Sequence, residues 1–136
     1  MRSVAFAFVA LCSMLVSASD SGQEACDDEN GALQTAQCLE GIAQQKRAVV
    51  EKLYVSSLNR IPEKTHDVRS ARQQFQHEHA AWENYVAEHC QFYGGISEGD
   101  SVWISLAAVR CELTELDERI NFLRNIPWNP EQYPSG

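Results

Sequence analysis

The sequence has little positive charge and little glycine or proline, and each shortage excludes a class of protein. Its 11 lysine and arginine residues face 19 aspartate and glutamate residues, which gives a formal net charge of −8. A protein that holds a phosphate backbone needs a basic surface, so nucleic acid is not an expected partner. With 7 glycines and 4 prolines in 136 residues, a collagen-like or proline-rich chain is excluded. The 44% share of hydrophobic residues supports one packed domain.

Motifs of the common enzyme classes are absent as well. The chain contains no GxSxG, no P-loop and no HExxH. His77 and His79 flank Glu78, but positions i and i+2 of a helix point about 200° apart, so both rings cannot easily reach one ion. His79 with Glu83, four residues later, makes only half a metal site. We therefore expect no enzyme activity, no metal and no other cofactor.

The one long apolar run lies at the start of the chain. Residues 4–16 read VAFAFVALCSMLV after a positively charged start, and small residues follow up to Ala18. This pattern predicts a secretory signal peptide over residues 1–18 and export to the periplasm. The run is shorter than the roughly 20 residues that span a bilayer, so a retained anchor is disfavoured. A lipoprotein with its lipid on Cys12 is also disfavoured, because Leu11 stands where a small residue is expected.

Removing residues 1–18 leaves an even number of cysteines. It takes away Arg2 and Cys12, which makes the remaining chain one charge more negative and leaves four of the 5 cysteines. An even number of cysteines in an exported protein predicts two disulfides. The remaining cysteines lack CxxC spacing, which disfavours a zinc site.

The remaining chain is expected to form three helices. The first is predicted over residues 31–61 and ends before Pro62, and its apolar residues are Leu39, Ile42, Val49, Leu53 and Tyr54. The second is predicted over 63–92, where four residues recur every seven positions: Val68, Phe75, Trp82 and His89. We expect Gly94 and Gly95 to stop it, because glycine tolerates a left-handed cap.

The third helix has the most regular pattern. Its apolar residues are spaced alternately by four and three positions, at Val102, Leu106, Val109, Leu113, Leu116, Ile120 and Leu123. Charged residues, Arg119 among them, are expected around this seam. Pro127 ends the helix. The sequence predicts that residues 127–136, with three prolines, form an extended, flexible tail.

These elements predict an all-α domain over residues 19–126. No segment alternates with a period of two, so strands are not expected. Two short connections place successive helices antiparallel, which gives an elongated, up-down-up three-helix bundle. A single long coiled coil is the competing interpretation, and Pro62 with Gly94 and Gly95 argues against it.

In such a bundle all four cysteines gather at one end. Cys26 and Cys38 lie near the start of the first helix, Cys90 is at the end of the second, and Cys111 is about three turns into the third. Four cysteines allow three pairings, and geometry alone permits all of them. We favour the local pairs Cys26–Cys38 and Cys90–Cys111. The second pair would join two helices across the glycine loop.

Five aromatic residues fall near the same end: Trp82, Tyr85, Phe92, Tyr93 and Trp103. Core packing is the favoured interpretation for Trp82 and Tyr85. Trp103 lies beside the apolar seam rather than on it, so we expect it to be exposed. An exposed aromatic patch on an acidic protein suits a protein-binding surface. The candidate binding surface consists of Phe92, Tyr93, Glu98, Asp100 and Trp103.

Several landmarks together resemble the LprI-like family of lysozyme inhibitors. They are, in order, Cys26-x11-Cys38, Tyr54, Trp82-x2-Tyr85-x4-Cys90, Gly94-Gly95-Ile96-Ser97 and Cys111-x7-Arg119-x3-Leu123. The resemblance covers about residues 26–124. The chain departs from the family pattern at Val86-Ala87, where Arg-Asp is usual, and at Leu116, where threonine is usual.

The resemblance implies an extracytoplasmic helical protein, some of whose relatives inhibit lysozyme. It also implies structural roles for Tyr54, Trp82, Tyr85, Gly94, Gly95 and Arg119. Lysozymes are commonly basic, and an acidic protein would be steered towards them. The leading hypothesis is a non-enzymatic envelope protein that binds a lysozyme. The alternative is a structural or accessory periplasmic module with an endogenous protein partner. Oligomeric state stays open, since the third helix could pack within a monomer or a dimer.

Overall fold

The computed structural model describes residues 21–27, 31–61, 70–97 and 99–126, and these residues contain four helices. They are α1 (Ser21–Asp27), α2 (Ala32–Arg60), α3 (Ala71–Gly95) and α4 (Ser101–Arg124). No strand occurs in these ranges, and none of their helices is long and apolar enough to cross a membrane. The long helices α2, α3 and α4 confirm the all-α prediction. The expected signal peptide and the proline-rich tail lie outside the described residues.

The elements differ from expectation at three points, one of which is that α3 ends at Gly95 rather than at residue 92. The short helix α1 occupies the acidic segment that was expected only to precede the first helix. α3 begins at Ala71, and Ser70 caps it by accepting a hydrogen bond from the Gln73 amide at 3.2 Å. Serine is a favoured N-cap because its hydroxyl satisfies an amide left free in the first turn. The expected start of this helix, with Val68, lies outside the described residues.

The helices alternate in direction. α3 runs antiparallel to α4, because Cys90 near the end of α3 bonds to Cys111 while Glu78 near its start pairs with Arg119. α2 runs antiparallel to α3, since Tyr54 late in α2 contacts Phe75 early in α3. α2 and α4 are therefore parallel, as an up-down-up bundle requires. α4 lies between the other two and packs against both, whereas α2 and α3 contact each other little.

The apolar seam of α4 forms the centre of the core. Six of its seven predicted positions are buried, and Val102 is half-buried. The buried line on α2 consists largely of small residues: Thr35, Leu39, Ala43, Val50 and Ser57. Small side chains let two helix backbones approach closely, which a search for large apolar residues overlooks. The prediction was wrong for Val49, which is 38% exposed while its neighbour Val50 is buried.

Two disulfides hold the end of the bundle near the α3–α4 turn. Cys26 bonds to Cys38 and joins α1 to α2, and Cys90 bonds to Cys111 and joins α3 to α4. These are the two local pairs that the sequence favours. An ion pair of 3.1 Å between Asp27 and Arg110 adds a contact from α1 to α4.

Candidate functional site

The turn between α3 and α4 brings the two helices close together. The amides of Ile96 and Ser97 donate to the carbonyls of Phe92 and Gly94, which ends α3. A Cβ on Gly94 would lie 2.9 Å from the Ile104 carbonyl oxygen, so this glycine permits the close helix contact. The expected left-handed cap at Gly94 and Gly95 is wrong, because neither glycine has a positive φ.

Four large side chains project into solvent around this turn. Phe92, Tyr93, Ile96 and Trp103 are each at least half exposed, and we call them the hairpin surface. Trp103 is 53% exposed, as expected from its position off the α4 seam. Exposed aromatic residues that lie close together are typical of protein-binding surfaces. The Cys90–Cys111 disulfide fixes the helices that carry this surface.

Of the two acidic residues of the candidate binding surface, the structure describes Asp100. Asp100 caps α4, since its side chain accepts a hydrogen bond from the Val102 amide at 3.1 Å. Its carboxylate therefore has a structural role at the helix start. Gly99 has φ of 133° and packs against Trp103, so close that a Cβ added to this glycine would meet the tryptophan side chain. Glu98 lies outside the described residues.

A polar cluster lies deeper in the bundle, between α3 and α4. Arg119 is only 4% exposed, and its guanidinium donates to both Glu78 oxygens at 2.5 and 2.7 Å. Arg119 Nη2 also lies 2.9 Å from Nδ1 of the buried His79. The His79 ring stacks on Tyr54 with centroids 3.8 Å apart, and Arg119 lies over the Trp82 ring at 4.9 Å. We call these five residues the Arg119 cluster.

The contacts of the Arg119 cluster fix the state of its histidine. A guanidinium can only donate, so His79 Nδ1 accepts and the neutral ring carries its proton on Nε2. Burial, together with the adjacent Arg119 charge, lowers the pKa of His79 below its usual value. Nε2 lies 3.8 Å from Glu83 at the edge of the cluster. Burial also raises the pKa of Tyr54. The cluster therefore holds a neutral histidine against a permanent cation.

A second set of rings follows the outer face of α3. The Tyr85 and His89 rings stack with centroids 5.0 Å apart, and the Tyr85 hydroxyl donates to Glu115 at 3.3 Å. The expectation that Tyr85 packs in the core is wrong, because this residue is 50% exposed. Its ring covers the surface between α3 and α4 instead.

The described residues contain no group of three histidine, cysteine or acidic side chains placed to hold a metal ion. Of the candidate half-site, His79 belongs to the Arg119 cluster and Glu83 lies at its edge, and the Nδ1 nitrogen of His79 already contacts Arg119.

Most of the chain matches a known protein family. The family model described as lysozyme inhibitor LprI matches residues 26–123, which is most of the chain. The chain belongs to the LprI family. It matches no curated protein and no solved structure.

The residues that the LprI resemblance singled out fall into two groups in the structure. Tyr54, Trp82 and Arg119 meet in the Arg119 cluster, and Gly94 lies where α3 meets α4. Gly95 is in open space, with nothing within 4 Å of an added Cβ. The cluster and the helix contact thus give physical roles to four of these positions, while Gly95 and the exposed Tyr85 have no packing constraint of that kind.

Reasoning from the sequence missed the burial of the two ionisable residues at this site, Arg119 and His79. Arg119 was expected around the seam with the other charges, and His79 was considered only as a metal ligand. The spacing of 40 residues between them hides their contact. The available signal was the family landmark Cys111-x7-Arg119, which singles out Arg119 among the charged residues of α4.

Proposed function

We propose that this protein is an exported, non-enzymatic binding protein of the bacterial envelope that inhibits a lysozyme. The observation that carries the proposal is the match of residues 26–123 to the LprI lysozyme inhibitor family. The apolar run at residues 4–16 supports export, and the lack of a recognisable catalytic motif supports a binding role.

Charge and surface composition support a protein partner. The net charge of −8 favours encounter with a basic lysozyme. The hairpin surface offers apolar side chains that are already held in place by a turn and a disulfide, which limits the entropy lost on binding. We propose this surface, together with Asp100, as part of the contact; Glu98 is retained from the sequence prediction alone.

A muramidase assay tests the proposal. The full chain would be expressed with export, purified from the periplasm, and added in excess to a basic lysozyme at low and moderate salt. We expect inhibition that weakens as salt rises, because screening reduces electrostatic attraction. Trp103→Ala should weaken inhibition about tenfold, while Leu33→Ala, which removes an equally exposed side chain from α2, should change it little. No inhibition at either salt concentration would reject the proposal for the lysozymes used.

The alternative function is an accessory envelope module with an endogenous protein partner. The exposed apolar side chains of the hairpin surface favour it, because they suit many protein partners. Affinity purification from periplasmic extract, followed by mass spectrometry, separates the two. A bacterial partner lost with Trp103→Ala, in a protein that does not inhibit lysozyme, would favour the alternative.

A further inference from the structure

A groove runs along the bundle where α2 and α3 diverge over α4. Its volume is about 560 Å³. Val86, Ala87 and Cys90 form the wall on α3, and Ala108 and Val109 form the floor on α4. Small side chains at positions 87 and 108 leave this space open. The Cys90–Cys111 disulfide joins α3 to α4, so the wall on α3 is held against the floor at this end.

The edge of the groove is acidic. Glu40, Glu83 and Glu112 line it together with one cation, Arg47. Arg47 is fully engaged, since it donates to both Glu112 oxygens at 2.6 and 2.7 Å and to Glu40 at 3.0 Å. One guanidinium facing three carboxylates leaves the groove with an excess of negative charge.

Glu83 is the carboxylate best placed to accept a further cation. Its side chain is 61% exposed, and its contact in the described chain is with His79 at 3.8 Å. His79 is neutral at pH 7 because burial and Arg119 lower its pKa. The Glu83 charge is therefore not neutralised by that contact.

We propose that this groove is the docking site for a lysine or arginine side chain of a basic protein partner. The aliphatic stem of such a side chain would lie on Val86, Ala87 and Ala108, and its charged end would reach Glu83 at the edge. Charge complementarity selects this occupant over a neutral apolar segment. Naming a basic lysozyme as the partner rests on the proposed function, whereas the cation site itself does not.

Two pairs of matched variants test the groove. Ala87→Arg places a cation in it, while Ala81→Arg adds the same charge to the same helix about 120° around the axis and outside the groove. Both alanines are exposed, so both variants should fold. The second pair is Glu83→Gln, in the groove, with Glu88→Gln, on another exposed face. The periplasmic protein would be titrated with a basic lysozyme, and separately with tetralysine, by calorimetry and amide NMR.

We expect lysozyme to shift the amide signals of Glu83, Ala87 and Ala108. Ala87→Arg should weaken binding about tenfold or more and Ala81→Arg less than about threefold. Equal losses of affinity in both variants would overturn the proposed docking site, because such losses would reflect the change in net charge alone. If lysozyme shifted only the amide signals of the hairpin surface, the proposed docking site would also be overturned. The proposed function would not be affected by that result.

Other outcomes separate the two proposals. If the amide signals of the groove residues shift but muramidase activity is not inhibited, the proposed function would be rejected and the proposed docking site supported. If lysozyme does not bind, the titration with tetralysine tests the cation site. Shifts of the Glu83 and Ala87 amide signals that are lost in the Ala87→Arg variant would support the site. No shift with tetralysine overturns it.

Discussion

The two sides of α4 are built differently, although one helix forms both. Towards α2 the interface is apolar and includes small side chains, with Leu39, Ala43 and Val50 buried and with ion pairs only partly buried at its edges. Towards α3 the interface contains the buried charge of Arg119, the buried ring of His79 and a disulfide. One side is held mainly by removal of apolar surface from water, and the other also by specific polar geometry.

This difference suggests different tolerances to change. An apolar interface accepts other side chains of similar volume, because hydrophobic contact has little directional preference. A buried charge accepts few replacements, since each partner left behind loses its hydrogen bonds. The α3 side also carries the hairpin surface and one wall of the groove, and the Cys90–Cys111 disulfide joins α3 to α4 beside both of them.

The largest expected loss is at the apolar interface. Leu39 is 1% exposed, and Leu39→Ala should lower the free energy of unfolding by roughly 2 to 5 kcal/mol through lost burial and the cavity left behind. Chemical denaturation followed by circular dichroism measures this loss. Leu33→Ala is the matched control, because Leu33 is 52% exposed on the same helix. Equal losses in both variants would contradict the assignment of Leu39 to the core.

The polar interface should respond to charge as well as to volume. Arg119→Ala should lower the free energy of unfolding by about 2 kcal/mol, less than for a fully buried pair because Glu78 is about half exposed. Arg119→Met keeps more of the packing against Trp82 and Phe122 and should lose less. If the methionine variant loses as much as the alanine variant, the charge itself accounts for the whole effect.

The contrast also explains which parts could be predicted from the sequence. The seam on α4 from Leu106 to Leu123 was predicted correctly, since large apolar residues at helical spacing mark a buried face. Thr35, Ala43 and Ser57 were missed, because small and weakly polar residues carry no periodic apolar signal. Arg119 and Tyr85 were placed wrongly, since their positions depend on partners 30 or more residues away. Of the candidate site, exposure of Trp103 followed from its place beside the seam.

A pH dependence should arise on the polar side, from His79. The pKa of His79 is lowered by burial and by Arg119 in the folded protein, so the unfolded chain binds more protons below about pH 6.5. The folded state should therefore lose stability as the pH falls through 6.5 towards the folded-state pKa. Denaturation between about pH 5.5 and 7.5 measures this slope, and these limits are about one unit either side of the usual histidine pKa. His79→Asn should flatten it, whereas the exposed His77→Asn should not. Identical slopes in all three proteins would show that other groups cause the dependence.

The smallest expected effect is at the ion pairs on the α2 side. Arg47 is bonded to Glu112 and Glu40, but its side chain is 43% exposed. Because water already solvates exposed charges well, Arg47→Gln should lower the free energy of unfolding by less than about 1 kcal/mol, and the loss should shrink in high salt. Denaturation at low and high salt tests this. A loss as large as that of Arg119→Ala would mean that α2 also depends on polar geometry, and the two sides of α4 would then be alike.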